Sequence, residues 1–211
     1  MKGIIFDLDG TLYDSLEDIG SSANRTLKKY SYPEHPMESY QEFVGNGLKM
    51  TITRAIPDDV VLSDEILNDF LTDYEHNHTV FSKPYPGILS MLKSLNEMGI
   101  PVAICTNKKQ AYSEGIVAKD FKGIEFVSVI GDLSNNTLKP NPLNTLKIAE
   151  MMNLKPEEIY FVGDTDVDMH TAKNAGMVPI GVSWGFREVE ELEREGATII
   201  IDQAEAILDL F

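Results

Sequence analysis

The chain has 211 residues and carries 34 Asp and Glu against 18 Lys and Arg, a formal net charge of −16 at pH 7. That acid excess argues against nucleic acid as a partner, because a phosphate backbone must be met by a basic surface. It leaves room for a small anionic ligand, which needs only a local positive site. Hydrophobic residues make up 43% and charged residues 25%, the balance of a globular chain, and no apolar run approaches the ~18 residues of a membrane span.

Residues 3–8 read as a first strand, short and apolar, running into Asp7-Leu8-Asp9-Gly10-Thr11. After Ser15, an expected N-cap, Leu16, Ile19, Ala23, Leu27 and Tyr30 recur at helical spacing. Ile66, Leu67, Phe70, Leu71 and Tyr74 do the same after Ser63. The turn-rich pieces Tyr32-Pro33-Glu34-His35-Pro36 and Ile56-Pro57-Asp58-Asp59 separate the two. No strand is predicted between about residues 14 and 83. From Pro84-Tyr85-Pro86-Gly87 onward the pattern changes. A stripe of Ile88, Leu89, Leu92 and Leu95 ends at Gly99-Ile100-Pro101, a helix stop. Strand-like runs follow at 102–106, 126–130, 159–162, 178–182 and 198–201, with a helix on Leu143, Leu146 and Ala149 after Asn141-Pro142. Acid-rich residues 188–195, with Val189 and Leu192, fit an amphipathic surface helix. The alternation predicts an α/β fold: a doubly wound parallel sheet covered on both faces, with a helical insertion between the first strand and its crossover. On this division residues 1–13 and 84–211 form the core and 14–83 the insertion.

Cys105, the one cysteine, lies in the second of these core strands and is expected to be inert packing, so no disulfide and no oxidising compartment are implied. The N-terminal residues turn acidic at Asp7, too early for a signal peptide, and a cytoplasmic protein is the expectation.

Chemistry-bearing residues fall at successive strand ends. Asp7 and Asp9 share one side of the first strand if extension persists, and two such carboxylates are costly unless a cation or a shared proton joins them. An oxygen-only donor set suits a hard ion such as Mg²⁺, although an acidic loop is the plain alternative for a lone Asp-x-Asp. Thr106-Asn107-Lys108 closes the second core strand, Lys139 stands in Leu138-Lys139-Pro140, and Gly163-Asp164-Thr165-Asp166-Val167-Asp168 follows a third. If Asp164 begins the next helix, Asp168 lies on its face. Open parallel sheets bind ligands outside the carboxyl ends of their strands, where all four features fall.

This ordered set resembles the four motifs of the haloacid dehalogenase superfamily of phosphotransferases, over essentially the whole chain, and the insertion looks like that superfamily's helical cap on a Rossmann-like core. Val44-Gly45-Asn46-Gly47 with Arg54-Ala55, Thr106-Asn107-Lys108 and Ser183-Trp184-Gly185-Phe186-Arg187 are similar to the phosphoglycolate phosphatase-type branch. The resemblance implies Asp7 as nucleophile, Asp9 as general acid and then base, and Thr106 and Lys139 as catalytic contacts to the phosphoryl group. It implies further phosphate contacts from Thr11, which would also order the Asp9 loop, and around Asn107. Mg²⁺ would be held by the Asp7 carboxylate, the Asp9 carbonyl and Asp164, with Asp168 nearby. Gly45, Asn46 and Arg54 would face the substrate from the cap, although Gly45 and Gly47 also suit a plain helix–helix turn. The implied partner is a small phosphorylated metabolite, with neither nucleic acid nor membrane, and the implied state a monomer or weak homodimer.

Within the same core, a phosphosugar mutase resembling β-phosphoglucomutase and a pyrophosphatase remain alternatives. Asp9 argues against haloacid dehalogenation, which needs no second acid. A receiver-like phosphoacceptor is remote, since such domains are shorter and lack a cap. His76 and His78 lie on different helix faces and are expected in solvent, as is His170. Trp184 is open between packing and the pocket.

Overall fold

A computed structural model describes residues 2–211. Its six-stranded sheet is parallel throughout, in the order β5-β4-β1-β6-β7-β8, formed by β1 (Gly3–Phe6), β4 (Val102–Lys109), β5 (Ser128–Asp132), β6 (Ile159–Gly163), β7 (Val178–Val182) and β8 (Ile199–Ile201). The α/β prediction is met, with the fifth strand displaced two residues C-terminally from 126–130. Side chains alternate across the pleat. Ile4, Phe6, Val102 and Ile104 join one buried cluster with α5 (Ile88–Glu97) and α6 (Gln110–Asp120). Ile5, Ala103 and Cys105 join the other with α7 (Leu143–Met152) and α8 (Asp166–Ala175). Near-continuous apolar runs in β1 and β4 follow from burial on both faces.

The predicted stripes shift at their edges. Met91 replaces Leu89 in the buried face of α5, and Leu89 and Leu143 are exposed. A short helix, α9 (Val189–Glu195), buries Leu192 only, as its pattern suggests.

Between β1 and α5 lie four helices: α1 (Leu16–Lys29), α2 (Tyr40–Phe43), α3 (Leu48–Ala55) and α4 (Asp64–Asn77). Ile19, Ala23, Leu27, Tyr40, Ile52, Phe70 and Tyr74 give them an apolar cluster of their own, which Tyr112 and Phe186 enter from the sheet side. Ser63 caps α4 as expected, accepting from Ile66 N at 3.2 Å. Ser15 does not cap α1: its hydroxyl is buried without a partner. Two strands that no sequence period announces bracket this layer. β2 (Tyr13–Asp14) and β3 (Lys83–Pro84) pair antiparallel, so the chain leaves and re-enters the sheet domain through one narrow ribbon. Asp18 strengthens it, accepting from Phe81 N and Ser82 N at 3.1 and 2.8 Å.

Candidate active site

β1 ends at Phe6, Asp7 N still donates to Val162 O of β6, and the chain then turns from Leu8. Leu8 O accepts from the N–H groups of Thr11, Leu12 and Tyr13, and Gly10 supplies the φ of +81° that closes the turn. A Cβ on Gly10 would collide with the Asp164 carboxylate, so the missing side chain also makes room for that acid. The turn gives the leading acids different partners. Both acids still line one cavity, as an extended pair would, but each meets its own lysine: Lys139 for Asp7, beside two further acids, and Lys108 for Asp9.

The acid cluster is Asp7, Asp164 and Asp168, whose oxygens lie within 4.8 Å of one another. Lys139 Nζ contacts Asp7 Oδ1 at 2.8 Å and Asp168 Oδ1 at 2.6 Å. Burial, opposed by Lys139 and reinforced by Asp168, pushes the Asp7 carboxyl up to about 7. Burial, with the charges of Asp168 and Asp7, likewise raises Asp164 well above the usual carboxylate range. Burial works against the charge on Lys139, but Asp168 and Asp7 outweigh it and hold the ammonium above its ordinary value.

Asp164 does not begin α8. Thr165 is the N-cap, and Asp168 folds back in a capping box, accepting from Thr165 N at 3.1 Å, Thr165 Oγ1 at 2.8 Å and Asp164 N at 3.2 Å. Asp168 thereby fixes both the loop and Lys139. Thr11 donates to Asp164 Oδ1 at 2.7 Å, is fully buried, and does not line the cavity. It orders an acid, and its hydroxyl is not part of the cavity lining where a phosphate contact was expected.

β4 carries the opposite wall. Cys105 pairs with Ile130 and Lys109 with Asp132, so β4 spends two more residues than β5 over this span. Such a bulge re-aims side chains, and Thr106, Asn107 and Lys108 all line the cavity. Lys108 Nζ lies 2.8 and 3.1 Å from the two Asp9 oxygens and 2.6 Å from the Tyr74 hydroxyl of α4. Burial disfavours its charge, yet Asp9 and Tyr74 raise its proton affinity on balance. Asn107 Nδ2 donates to Gly45 O at 3.1 Å and Lys139 O at 3.2 Å, and its Oδ1 accepts from Lys139 N at 2.7 Å. Its side chain therefore joins the helical layer to the Lys139 loop, leaving no amide hydrogen for a phosphate.

From the helical layer, Ile19, Val44, Gly45, Gly47, Leu48 and Thr51 close the cavity, with Phe186 beside them. Asn46 and Arg54 do not line it. Arg54 is exposed and binds Asn46 Oδ1 at 2.7 Å and Phe43 O at 3.0 Å, so the two brace the loop from outside. Arg187 holds the same loop from below, donating to Gln41 O and, at 3.0 Å, to Val44 O.

The family model described as haloacid dehalogenase-like hydrolase matches residues 4–182. The chain belongs to this family. A phosphoglycolate phosphatase of Aquifex aeolicus is 32% identical over 188 residues, covering 88% of this chain and 86% of its own. One from Pseudomonas putida is 29% identical over 212 residues, covering 97% and 78%. A solved structure from Lactobacillus delbrueckii subsp. bulgaricus superposes with a TM-score of 0.90 at 28% identity, covering 100% of this chain and 98% of its own.

The divalent metal implied by this hydrolase family fits the residues present. Three buried carboxylates share one lysine, and an all-oxygen donor set suits a hard cation. Asp168 is the most heavily bonded of the three, with Lys139 on Oδ1 and three donors on Oδ2, whereas Asp164 accepts one hydrogen bond on each oxygen and the contacts of Asp7 fall on Oδ1. Sequence reasoning placed Lys108 in a motif without giving it a role, and it passed over Tyr74 as core. Arg187 was part of a recognised segment only. Trp184 resolves to packing: Nε1 donates to Thr11 O at 3.0 Å, and the ring lies beside Tyr85. His78 is half-buried against the Tyr74 and Tyr112 rings, contrary to expectation, while His170 stays near solvent beside Glu195.

Proposed function

We propose that this phosphatase of the haloacid dehalogenase-like family hydrolyses a small phosphomonoester whose leaving alcohol carries a carboxylate, as phosphoglycolate does. The reaction runs through an aspartyl-phosphate on Asp7, with Mg²⁺ as cofactor. The observation that carries the reading is the position of Asp7. Its carboxylate is buried at the end of the central strand, against Lys139 and two further acids, and it shares one cavity with Asp9.

An Asp7 oxygen attacks phosphorus, the bond from phosphorus to the alcohol oxygen breaks, and Asp9 gives that oxygen a proton. In the second half Asp9 takes a proton from water, whose oxygen attacks the same phosphorus and releases phosphate and the Asp7 carboxylate. One group serving as acid and then base is general acid–base catalysis run in both directions, and the covalent stage splits one hard displacement into two easier ones. Asp7, the Asp9 carbonyl and Asp164 would hold Mg²⁺, which supplies positive charge between anionic carboxylate and anionic phosphoryl oxygens. Lys139 and the Thr106 hydroxyl stabilise charge on those oxygens, with Lys139 oriented by Asp168. Lys139 offsets part of the burial that raises Asp7, and a bound cation would favour the carboxylate further. Residues 14–83 act as the cap, moving on the β2–β3 ribbon and excluding water when closed.

Phosphate release from phosphoglycolate, sugar phosphates, nucleotides and pyrophosphate, each with Mg²⁺ and with chelator, tests the proposal. Metal-dependent release, fastest from phosphoglycolate, is the expected result. Undiminished turnover in chelator, or no release from any compound, overturns it.

A further inference from the structure

Lys108 is the one cationic side chain among the described residues lining the active-site cavity. Lys139 is occupied by Asp7 and Asp168, and Arg187 by two carbonyls and Glu191. The Lys108 side chain is 1% exposed, and its three N–H donors face two groups, the Asp9 carboxylate and the Tyr74 hydroxyl. Three acceptor atoms, both Asp9 oxygens and the Tyr74 hydroxyl, lie within hydrogen-bond reach of the ammonium, so an anion entering from the cavity would take over one of the two contacts to Asp9.

The opposite wall is the N-terminus of α3. Gly47 is its N-cap, no side chain caps it, and Gly47 lies against the Asn107 carbonyl, one residue from Lys108. The first N–H groups of such a helix have no intrahelical acceptor, and its dipole favours an anion. Between these two features the lining is apolar, from Ile19, Val44, Leu48 and Phe186. Thr51 is the one hydroxyl on the helical side, and it is turned to Gly47 O at 3.3 Å. Such a space suits a short leaving group with one anionic end, since on the helical side it offers a polyhydroxylated sugar no side-chain hydroxyl besides Thr51.

We infer that Lys108, with the α3 N-terminus facing it, is the specificity residue that binds the carboxylate of the leaving alcohol. This rests on the phosphatase reading above. Because Lys108 also contacts Asp9 and the cap residue Tyr74, the same ammonium links substrate recognition to the acid–base group and to the closed cap.

Calorimetric binding of two non-hydrolysable probes separates this from a merely structural role. With saturating Mg²⁺, the parent should bind phosphonoacetate more tightly than ethylphosphonate, which lacks the carboxylate. Lys108→Met should reduce that preference by roughly 10–150-fold, the usual worth of a charge-assisted hydrogen bond, with ethylphosphonate affinity little changed. Lys108→Gln, which keeps a donor for Asp9 and so protects folding, should reduce it in the same direction. Turnover of phosphoglycolate against ethyl phosphate should shift in parallel, mainly through KM. A parent without preference, or variants that keep the parent's preference, overturns the inference. Neither outcome depends on turnover, so failure of the phosphatase reading would show separately, as absent phosphate release from the parent.

Discussion

Asp7 and Asp9 are two residues apart and have different neighbours: one ammonium shared with a second acid for Asp7, and one ammonium shared with a tyrosine for Asp9. That division predicts different failures. Asp7→Asn should abolish turnover, because an amide does not displace an alkoxide from phosphorus at neutral pH. Asp9→Asn should lower kcat by about 10²–10⁴-fold with alkyl phosphates, the usual contribution of a general acid–base group. An activated aryl phosphate needs no acid, so Asp9→Asn should still be phosphorylated and then hydrolyse slowly. Rapid-quench labelling should find hydroxylamine-sensitive phosphate on Asp9→Asn and none on Asp7→Asn. Label on Asp7→Asn would place the nucleophile elsewhere. Cys105, just before this wall, takes no part: burial pushes its thiol up to about 12, which leaves little thiolate at neutral pH.

At the scale of the elements, the two serines expected to cap helices make a controlled pair. Ser63 accepts from the Ile66 N–H, and Ser63→Ala should cost about 1 kcal/mol in denaturant unfolding. Ser15 makes no such bond and buries an orphan hydroxyl, so Ser15→Ala should be neutral or stabilising by up to about 1 kcal/mol. Equal losses in both would contradict the assigned roles. The pair also shows which elements a sequence displays. The core strands are legible because β-branched and apolar runs between Gly and Pro have few other uses, and the stripe of α4 is legible because it spans several turns. β2 and β3 are not, since two residues carry no period. The Asp7–Asp9 geometry is only partly legible for a related reason: Asp7 N still pairs with Val162 O, but from Leu8 onward the chain is folded by a carbonyl that gathers three N–H groups, and no local pattern shows where extension stops.

Across the whole molecule, the acid cluster couples folding to pH and metal. Without metal, Asp7 holds a proton up to about pH 7 in the folded chain, against 3.8 as its ordinary value. The folded state therefore binds more protons than the unfolded state between these values, and stability falls as pH rises through the window. Metal-free protein should melt lower at pH 7.5 than at pH 5.5, and Mg²⁺ should raise the melting temperature more at pH 7.5. A metal effect independent of pH would argue against this cluster as the metal site. Motifs at the strand ends are legible because each is local. The contacts that join the two layers are not, since Lys108 meets Tyr74 34 residues away and Arg187 meets Val44 143 residues away, and neither distance leaves a local pattern. Two of the joining residues, Arg187 and Asn107, have one property in common. Arg187 and Asn107 grip the helical layer by the carbonyls of Gln41, Val44 and Gly45, not by its side chains. Every amino acid supplies a carbonyl, so side chains along residues 41–45 can change while the grip persists. The hold between the two layers at this loop is thereby indifferent to which side chains stand there, and sequence drift along it leaves the grip in place.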